Sequence, residues 1–272
     1  MRAFVLGNGK SLANAPWERL RDEVTFGVNR IHLVYPKTAW RPTFWVAADR
    51  SQYGRQGDDI EFHVLQGYPC YIRADMMKDV RFYDPEFGGN PIPDTVRLFD
   101  HCGHIEVTRN PSTGWHLPSL CSMAGSLSVA MQLAFERGYD PVYLLGCDMR
   151  YQAHRVNHFD PNYVDYDMYS AERVAMTTAN LIAGHKHARD AYARAGRKLY
   201  DATQDGGLSI HPKVDLADVC KEGVDMAELT DVKVRGTGTV RWPDDHPRAD
   251  ENPPAEKDNA EEKETSQKDD EE

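Results

Sequence analysis

Residues 122–148 read SMAGSLSVAMQLAFERGYDPVYLLGCD, and this stretch decides the fold class. Small and apolar residues recur at helical spacing over 122–137, and Gly138 gives that helix a C-terminal stop. Residues 141–145 then form a continuous apolar run, which is typical of a strand buried on both faces. A helix joined by a short turn to such a strand is half of a βαβ unit, so the stretch predicts a parallel sheet.

The same alternation continues in both directions along the chain. A long helix is predicted from about residue 170 to residue 195, where Gly196 ends it. The sequence between the weaker strand candidates at 69–73 and 95–99 is rich in Gly, Pro and Asp and predicts long loops. Further strands are predicted at residues 3–6, 24–29, 43–48, 69–73, 95–99 and 198–202. We therefore expect an α/β fold with an open, mostly parallel, twisted sheet flanked by helices, in the Rossmann-like manner.

Charge divides the chain into a nearly neutral body and an acidic tail. The formal net charge is −11, and residues 244–272 alone contribute −9 of it. We predict one nucleotide-binding α/β catalytic domain over residues 1–222, a poorly defined extension over 223–243 and a disordered acidic tail over 244–272. A neutral body lacks the basic face of nucleic-acid-binding proteins, so the charge does not indicate a nucleic-acid partner.

The cysteines and the apolar runs predict a cytoplasmic protein. No run approaches the roughly 18–20 apolar residues of a membrane-spanning helix, and the N-terminus MRAFVLGNGKSL predicts a strand, not a signal peptide. Five scattered cysteines form no CxxC pair, which favours reduced thiols. The spacing of Cys102, His104 and Cys121 fits no common zinc site.

Polar or glycine residues follow four of the predicted strands directly. These are Gly7–Ser11, Asn29 with Arg30, Asp49, and Gly146–Asp148. In open α/β sheets, ligands bind beyond the carboxyl ends of the strands. The four turns therefore predict one shared site, within which Asp49 and Asp148 are either ligand-binding residues or caps of the following turns.

The first of these turns, GNGKS, resembles two phosphate-binding motifs without matching either. A Walker A motif needs glycine where Phe4 stands, and a GxGxxG motif needs glycine where Leu12 stands. Glycines after a strand still let backbone N–H groups approach a phosphate closely. From the residues alone, a tight structural turn and a ligand-binding loop both remain open.

Several motifs taken together resemble a known family. FVLGNGKSL at 4–12, VNRI at 28–31, GSLSVAMQLAFERGY at 125–139 leading into VYLLGCD, and HFD at 158–160 resemble the bacterial sialyltransferases. They resemble equally the related 6-hydroxymethylpterin pyrophosphokinase-like group, which includes many phage proteins of unassigned function. The resemblance covers roughly residues 3–205, with a poorly matched stretch at 54–118, and implies a sialyltransferase-like fold and a transferase.

The resemblance also implies roles for individual residues. The GNG loop and Asn29 would contact the nucleotide phosphate, the start of the long helix would contact the nucleoside, and Tyr151 would assist the phosphate leaving group. Lys10 replaces the usual proline and could pair with phosphate, and Asp49 replaces an asparagine. The expected nucleotide-binding residues are Gly7, Asn8, Gly9, Lys10, Ser11, Asn29, Asp49, Gly125, Ser126, Gly146 and Asp148.

The general base departs from the family pattern. The resemblance places the base near Ala179, which cannot accept a proton. His158, with Asp160 to orient it, is the leading candidate, because it lies in a polar loop. His185 shares a helix face with apolar residues and is expected to be packing, and His187 is expected to face solvent. Tyrosines 163, 166 and 169 form either a lid over the site or a packed loop.

These observations predict transfer of a sugar from a CMP- or UDP-type nucleotide-sugar to an acceptor hydroxyl of unspecified class, without a metal. His158, Asp160 and Tyr151 would be catalytic, and Lys10, Arg150 or Tyr151 would stabilise charge on the leaving phosphate. One alternative is a Mg²⁺-dependent pyrophosphokinase acting on a small alcohol such as a hydroxymethylpterin, with Asp49 and Asp148 holding the metal. Another is a nucleotide-binding module without catalysis.

Overall fold

The computed structural model describes residues 1–49, 56–80, 91–101, 119–120 and 124–220, all of which belong to one compact unit. The extension at 223–243, the acidic tail at 244–272, and Cys102, His104 and Cys121 lie outside the described residues. The expectations for those parts of the sequence stay predictions.

An open sheet of eight strands forms the centre of the fold. Its order is β6-β5-β4-β3-β2-β1-β7-β8, and every neighbouring pair is parallel. The strands are β1 (Ala3–Leu6), β2 (Thr25–Val28), β3 (Phe44–Ala47), β4 (Cys70–Arg73), β5 (Val96–His101), β6 (Ser119–Leu120), β7 (Val142–Leu145) and β8 (Leu199–Asp201). The predicted α/β fold class with an open parallel sheet is confirmed; β6, only two residues long, carried too little pattern to be predicted.

Among the described residues, four α-helices accompany the sheet: α1 (Gln56–Leu65), α2 (Gly125–Glu136), α3 (Ala171–Arg194) and α4 (Leu216–Val219). The two long predicted helices correspond to α2 and α3. Helix α1 was not predicted, because its buried apolar residues Ile60 and Val64 are interspersed with buried Glu61 and His63. That polar content hides the helical pattern. Across the described ranges, no helix combines the length and apolar character that a bilayer crossing requires.

Apolar side chains cover both faces of the sheet. Val5, Phe26 and Val46 belong to the core on the α2 and α3 side, whereas Phe4 and Trp45 belong to the core on the other side. Successive residues of one strand thus point into different cores, as the continuous apolar strands predict. The aromatic residues at 40, 44 and 45 are buried as expected.

The middle of α3 packs tightly against the start of α2. A Cβ atom added to Gly184 of α3 would overlap the Cβ of Ala124, the residue that precedes α2. Farther along, the hydroxyl of Tyr192 donates to the backbone oxygen of Met131 at 3.0 Å. This contact fixes where α2 begins, and α2 begins at the carboxyl edge of the sheet.

We expect Gly184→Ala to lower the free energy of unfolding. In a helix interior, replacing glycine by alanine stabilises the helix by about 1 kcal/mol. The overlap with Ala124 costs roughly 1–3 kcal/mol, because the core has no room for another methyl group. Urea unfolding measures the balance. The matched control is Ala124→Gly combined with Gly184→Ala, compared with Ala124→Gly alone. A stabilised single Gly184→Ala variant would contradict the close packing.

Candidate functional site

A cavity of about 1150 Å³ opens at the carboxyl ends of the strands. Its walls come from the segments after β1, β2, β3, β7 and β8, from the end of β4, from the first turn of α2 and from the first half of α3. Of the predicted site residues, all but Asp160 line it: Gly7, Asn8, Gly9, Lys10, Ser11, Asn29, Asp49, Gly125, Ser126, Gly146, Asp148, Tyr151 and His158. Turns that are distant in the sequence therefore share one site.

The glycines of the GNG loop make room for a neighbouring loop. A Cβ on Gly7 would lie 2.5 Å from the backbone oxygen of Gly146, and one on Gly9 would lie 2.6 Å from the carboxylate of Asp148. The two glycine N–H groups donate to the backbone oxygens of Leu145 and Gly146 at 2.7 and 2.9 Å. A tight structural turn therefore accounts for both glycines. Their N–H groups are already bonded to the backbone and are not available to a ligand.

Asp148 holds the turn that follows this loop. Its two carboxylate oxygens accept hydrogen bonds from Ser11, one from the backbone N–H at 2.9 Å and one from the hydroxyl. Asp148 therefore caps the 3₁₀ turn over residues 10–14. Each oxygen keeps a second lone pair, so these bonds orient the carboxylate and leave it able to accept a further partner.

Asn8 ties together three parts of the cavity wall. Its Nδ2 donates to the backbone oxygen of Val28 at 2.9 Å and to the hydroxyl of Tyr163 at 2.7 Å. Its backbone oxygen accepts from the N–H of Phe159 at 3.0 Å. Asn8 is 8% exposed, so its side chain is mainly a structural link between β2 and the segment at 157–163.

Asn29 is held in a strained conformation by Ser126. Asn29 has φ 47°, in the left-handed region that few residues other than glycine adopt. The hydroxyl of Ser126 donates to Oδ1 of Asn29 at 2.6 Å and accepts from the N–H of Ala48 at 2.8 Å. Since Oδ1 is used in this way, Asn29 presents Nδ2 as its donor to a cavity ligand.

The N-terminus of α2 faces the cavity without a cap. Ala124 occupies the N-cap position and offers no side-chain oxygen, and the first turn holds no acidic residue. The first N–H groups of a helix have no partner within the helix, and the helix dipole places partial positive charge there. Residues 124–127 line the cavity, so this end of α2 favours an anion such as phosphate.

Cations line the cavity on two sides. Lys10 and Arg150 are exposed on the segments after β1 and β7, and neither has an ion-pair partner among the residues described. Arg73, at the end of β4, is already engaged, because its guanidinium contacts the carboxylate of Asp75 and the backbone oxygen of Ala48. Lys10 and Arg150 are thus the cations available to a bound anion.

His158 is buried among aromatic rings. It is 6% exposed, and its imidazole stacks on Tyr163 with ring centroids 3.9 Å apart. Nδ1 lies 3.2 Å from the hydroxyl of Tyr166. Burial lowers the pKa of His158 from 6.5 to about 3, so the ring is neutral near pH 7 and able to accept a proton.

Asp160 does not orient His158, which corrects the sequence-based expectation. Its carboxylate accepts from the N–H of Asn162 at 2.9 Å and lies 3.9 Å from Nζ of Lys37. The physical reason is local, since an Asp carboxylate readily bonds the backbone two residues further on. Tyr166 takes the place beside His158 instead.

The tyrosines of this region form a packed loop. Tyr163 and Tyr169 are 1% and 0% exposed, and the ring of Tyr151 lies parallel to that of Tyr169 at 6.5 Å. Burial raises the pKa of Tyr151, so its hydroxyl keeps its proton and can donate a hydrogen bond.

The two histidines of α3 lie away from the cavity. Nδ1 of His185 is 3.0 Å from Nε2 of His211, and both rings are buried. His187 is also buried, so the expectation that it faces solvent was wrong. Helix α3 packs against α2 and β8.

Sequence reasoning missed several residues of the cavity wall. Arg73 ends a predicted strand, so the rule that ligands bind at strand ends could have found it. The others lie in a helix interior or in irregular segments, where no pattern marks them. The residues missed include Arg73, Asn157, Thr177, Asn180, Gln204 and Asp205.

No family model matches this chain, and no curated protein matches it. One similar solved structure is the MAf glycosyltransferase of Magnetospirillum magneticum AMB-1, with 11% identity, a TM-score of 0.49, and coverage of 79% of this chain and 33% of that chain. This chain thus spans about a third of that protein.

Two further similar structures are of sialyltransferases. CST-II in complex with a trisaccharide acceptor and CMP shares 14% identity at a TM-score of 0.41, covering 79% of this chain and 86% of that one. CstII from Campylobacter jejuni with the substrate analogue CMP-3FNeuAc shares 12% at 0.35, covering 78% and 85%. The structural neighbours are therefore glycosyltransferases, sialyltransferases among them. At TM-scores below 0.5 these likenesses carry no argument about the chemistry of this chain.

We expect the free energy of unfolding to decrease as the pH falls below about 6.5. Burial lowers the pKa of His32, His158 and His185 to about 3 and that of His211 to about 4. In the unfolded chain these rings take up protons near pH 6.5, so each contributes up to about 1.4 kcal/mol per pH unit to the loss of stability between that pH and its folded pKa.

Urea unfolding at pH 7.5, 6 and 5 measures this slope. His158→Gln should make the slope shallower by about one proton. His154→Gln, at an exposed position, serves as the matched control and should leave the slope unchanged. Equal slopes for the two variants would contradict a neutral, buried His158.

Proposed function

We propose that this chain transfers a sugar from a nucleotide-activated donor of the CMP or UDP type to an acceptor hydroxyl. The observation that carries the proposal is a single cavity of about 1150 Å³ that joins an uncapped helix N-terminus, available cations and a neutral imidazole. An anion-binding group and a proton acceptor in one cavity match the two needs of such a transfer.

The donor would bind at the start of α2. Its phosphate would lie between the first N–H groups of α2 and Nδ2 of Asn29, with the nucleoside against Gly125 and Ser126. The cavity exceeds the roughly 300–1,000 Å³ of ordinary small-molecule sites, which leaves room for an acceptor beside the donor.

The transfer leaves negative charge on the departing phosphate and a proton on the base, and the cavity holds groups that could stabilise each. As the bond between the sugar carbon and the phosphate oxygen breaks, the electron pair leaves with the phosphate. Lys10 and Arg150 would offset that charge, and Tyr151 would donate a hydrogen bond to it. These groups make a metal unnecessary in the proposed reaction.

His158 would accept the proton of the acceptor hydroxyl. In the empty cavity its low pKa makes it a weak base, since base catalysis is most efficient when the pKa lies near the working pH. A bound anionic donor raises the pKa of a nearby imidazole. The donor itself would thus strengthen the base.

The geometry favours this proposal over pyrophosphoryl transfer. That alternative needs carboxylates to hold Mg²⁺, and Asp49 and Asp148 are its candidates. The carboxylate of Asp148 already accepts two hydrogen bonds from Ser11, and the described residues hold no group of three or more His, Cys, Asp or Glu side chains that could bind a metal ion. The described residues therefore lend the pyrophosphokinase less support than sugar transfer.

We expect CMP or UDP to raise the melting temperature without Mg²⁺. A ligand at about 100 times its Kd stabilises the folded state by about 2.7 kcal/mol. Thermal shifts with CMP, UDP, GDP and ATP, each with and without Mg²⁺, measure the effect. Ser126→Ala should remove most of the shift, because this variant lacks the hydroxyl that bonds Oδ1 of Asn29 and the N–H of Ala48.

Ser128→Ala is the matched control. Ser128 is buried on the same helix, and its hydroxyl has only a distant contact of 3.5 Å with Gln132. This variant should keep the shift. A Mg²⁺-dependent shift with ATP or GTP alone would favour the pyrophosphokinase, and no shift with any nucleotide would overturn the site.

We expect His158→Gln to keep nucleotide binding and to lose transfer. General base catalysis contributes about 10²–10⁴-fold, so the rate of nucleotide release from a CMP- or UDP-sugar in the presence of acceptor should fall by that factor. Nucleotide binding by the wild-type chain with no turnover on any donor would favour the non-catalytic module. An unchanged rate in the variant would exclude His158 as the base.

A further inference from the structure

Tyr166 is the one described side chain that forms a hydrogen bond with the imidazole of His158. We propose that Tyr166 is a positioning residue, which holds the proton of His158 on Nδ1 and leaves the lone pair on Nε2. The role in catalysis rests on the proposed function, whereas the position of the proton does not.

The direction of one hydrogen bond of Tyr166 carries the inference. The hydroxyl of Tyr166 lies 3.3 Å from the backbone oxygen of Asp160 and 3.2 Å from Nδ1 of His158. A carbonyl oxygen can only accept a hydrogen bond, so the hydroxyl of Tyr166 donates its single proton to the backbone oxygen of Asp160. Towards His158 the hydroxyl can then only accept, and Nδ1 must be the donor.

The other ring nitrogen is left for the cavity. A neutral imidazole carries one proton, so with Nδ1 protonated Nε2 holds a lone pair. His158 lines the cavity, and within the described ranges no donor or acceptor pairs with Nε2. Nε2 is therefore the atom that would meet an acceptor hydroxyl.

The other groups around His158 do not distinguish its two nitrogens. The ring stacks on Tyr163, and the rings of Tyr151 and Tyr169 lie with centroids 6.0 and 6.3 Å away. Burial raises the pKa of Tyr151, Tyr166 and Tyr169, so these neighbours stay uncharged.

Among the described residues, no charged side chain forms a hydrogen bond or an ion pair with the imidazole of His158. The loop after β1 bridges to His158 through Gly9 and carries Lys10, which is exposed, and Asp148 lies against the same glycine and binds Ser11. The carboxylate of Asp160 is used by Asn162. The hydrogen bond to Tyr166 is thus the local interaction that selects the tautomer.

In the proposed step, the acceptor oxygen forms its bond to the sugar carbon while its proton moves to Nε2. The bond from that carbon to the phosphate oxygen breaks, and the electron pair leaves with the phosphate. His158 becomes an imidazolium with protons on both nitrogens and returns one to water. Tyr166 accepts from Nδ1 throughout, so it also stabilises the cation.

The test combines NMR with kinetics on Tyr166→Phe in the full chain. Long-range ¹H–¹⁵N spectra at pH 7 should show His158 of the wild type protonated on Nδ1 only, and the variant as a mixture of tautomers. The variant should lower kcat for transfer about tenfold and leave KM for the donor unchanged. Tyr200→Phe, on β8 and stacked on Tyr143, is the matched control and should change neither readout.

The outcomes separate the two proposals. A wild-type ring protonated on Nε2, or a variant with an unchanged tautomer, would overturn the inference whether or not transfer is seen. A His158 protonated on Nδ1 in a chain that transfers no sugar would support the position of the proton and contradict the proposed function. The wild-type spectrum is decisive by itself should the variant fail to fold.

Discussion

The loops after β1 and β7 approach each other so closely that positions 7 and 9 have no room for a side chain. The rest of the cavity depends on this approach. It brings Asp148 to Ser11 and sets Asn8 between β2 and the segment that carries His158 and Tyr163. A larger residue at either glycine would push the two central loops apart, and the groups on both sides of the cavity would separate.

Much of this architecture follows from the sequence. The continuous apolar run at 141–145 identified the parallel sheet, and the rule that ligands bind at strand ends brought Asn29 and Asp148 to one site. The sequence could not show which hydrogen-bond partner each polar side chain would have. Asp160 looked like the partner of His158 because it lies two residues away, yet it caps its own turn. Tyr166, eight residues away, reaches His158 because the chain folds back.

The GNG motif illustrates the same limit. Glycines after a strand indicate a close approach of backbone, but not what approaches. Here the neighbour is the chain itself, and the helix end without a side-chain cap is the start of α2. Helix α1 escaped prediction because its buried face mixes Ile60 and Val64 with Glu61 and His63. Tertiary burial of polar residues leaves no periodic signal in a single sequence.

The strand order also determines when the site can form. Strand β1 pairs with β2, which follows it by about twenty residues, and with β7, which lies far along the chain. The bonds from Ser11 to Asp148 and from Asn8 to Tyr163 span 137 and 155 residues. While the chain is synthesised, one edge of β1 waits unpaired until β7 emerges, and such edges invite association with other chains. The centre of the sheet is thus completed only after β2 to β6 have been synthesised, and until then the nascent chain carries an open strand edge at its middle.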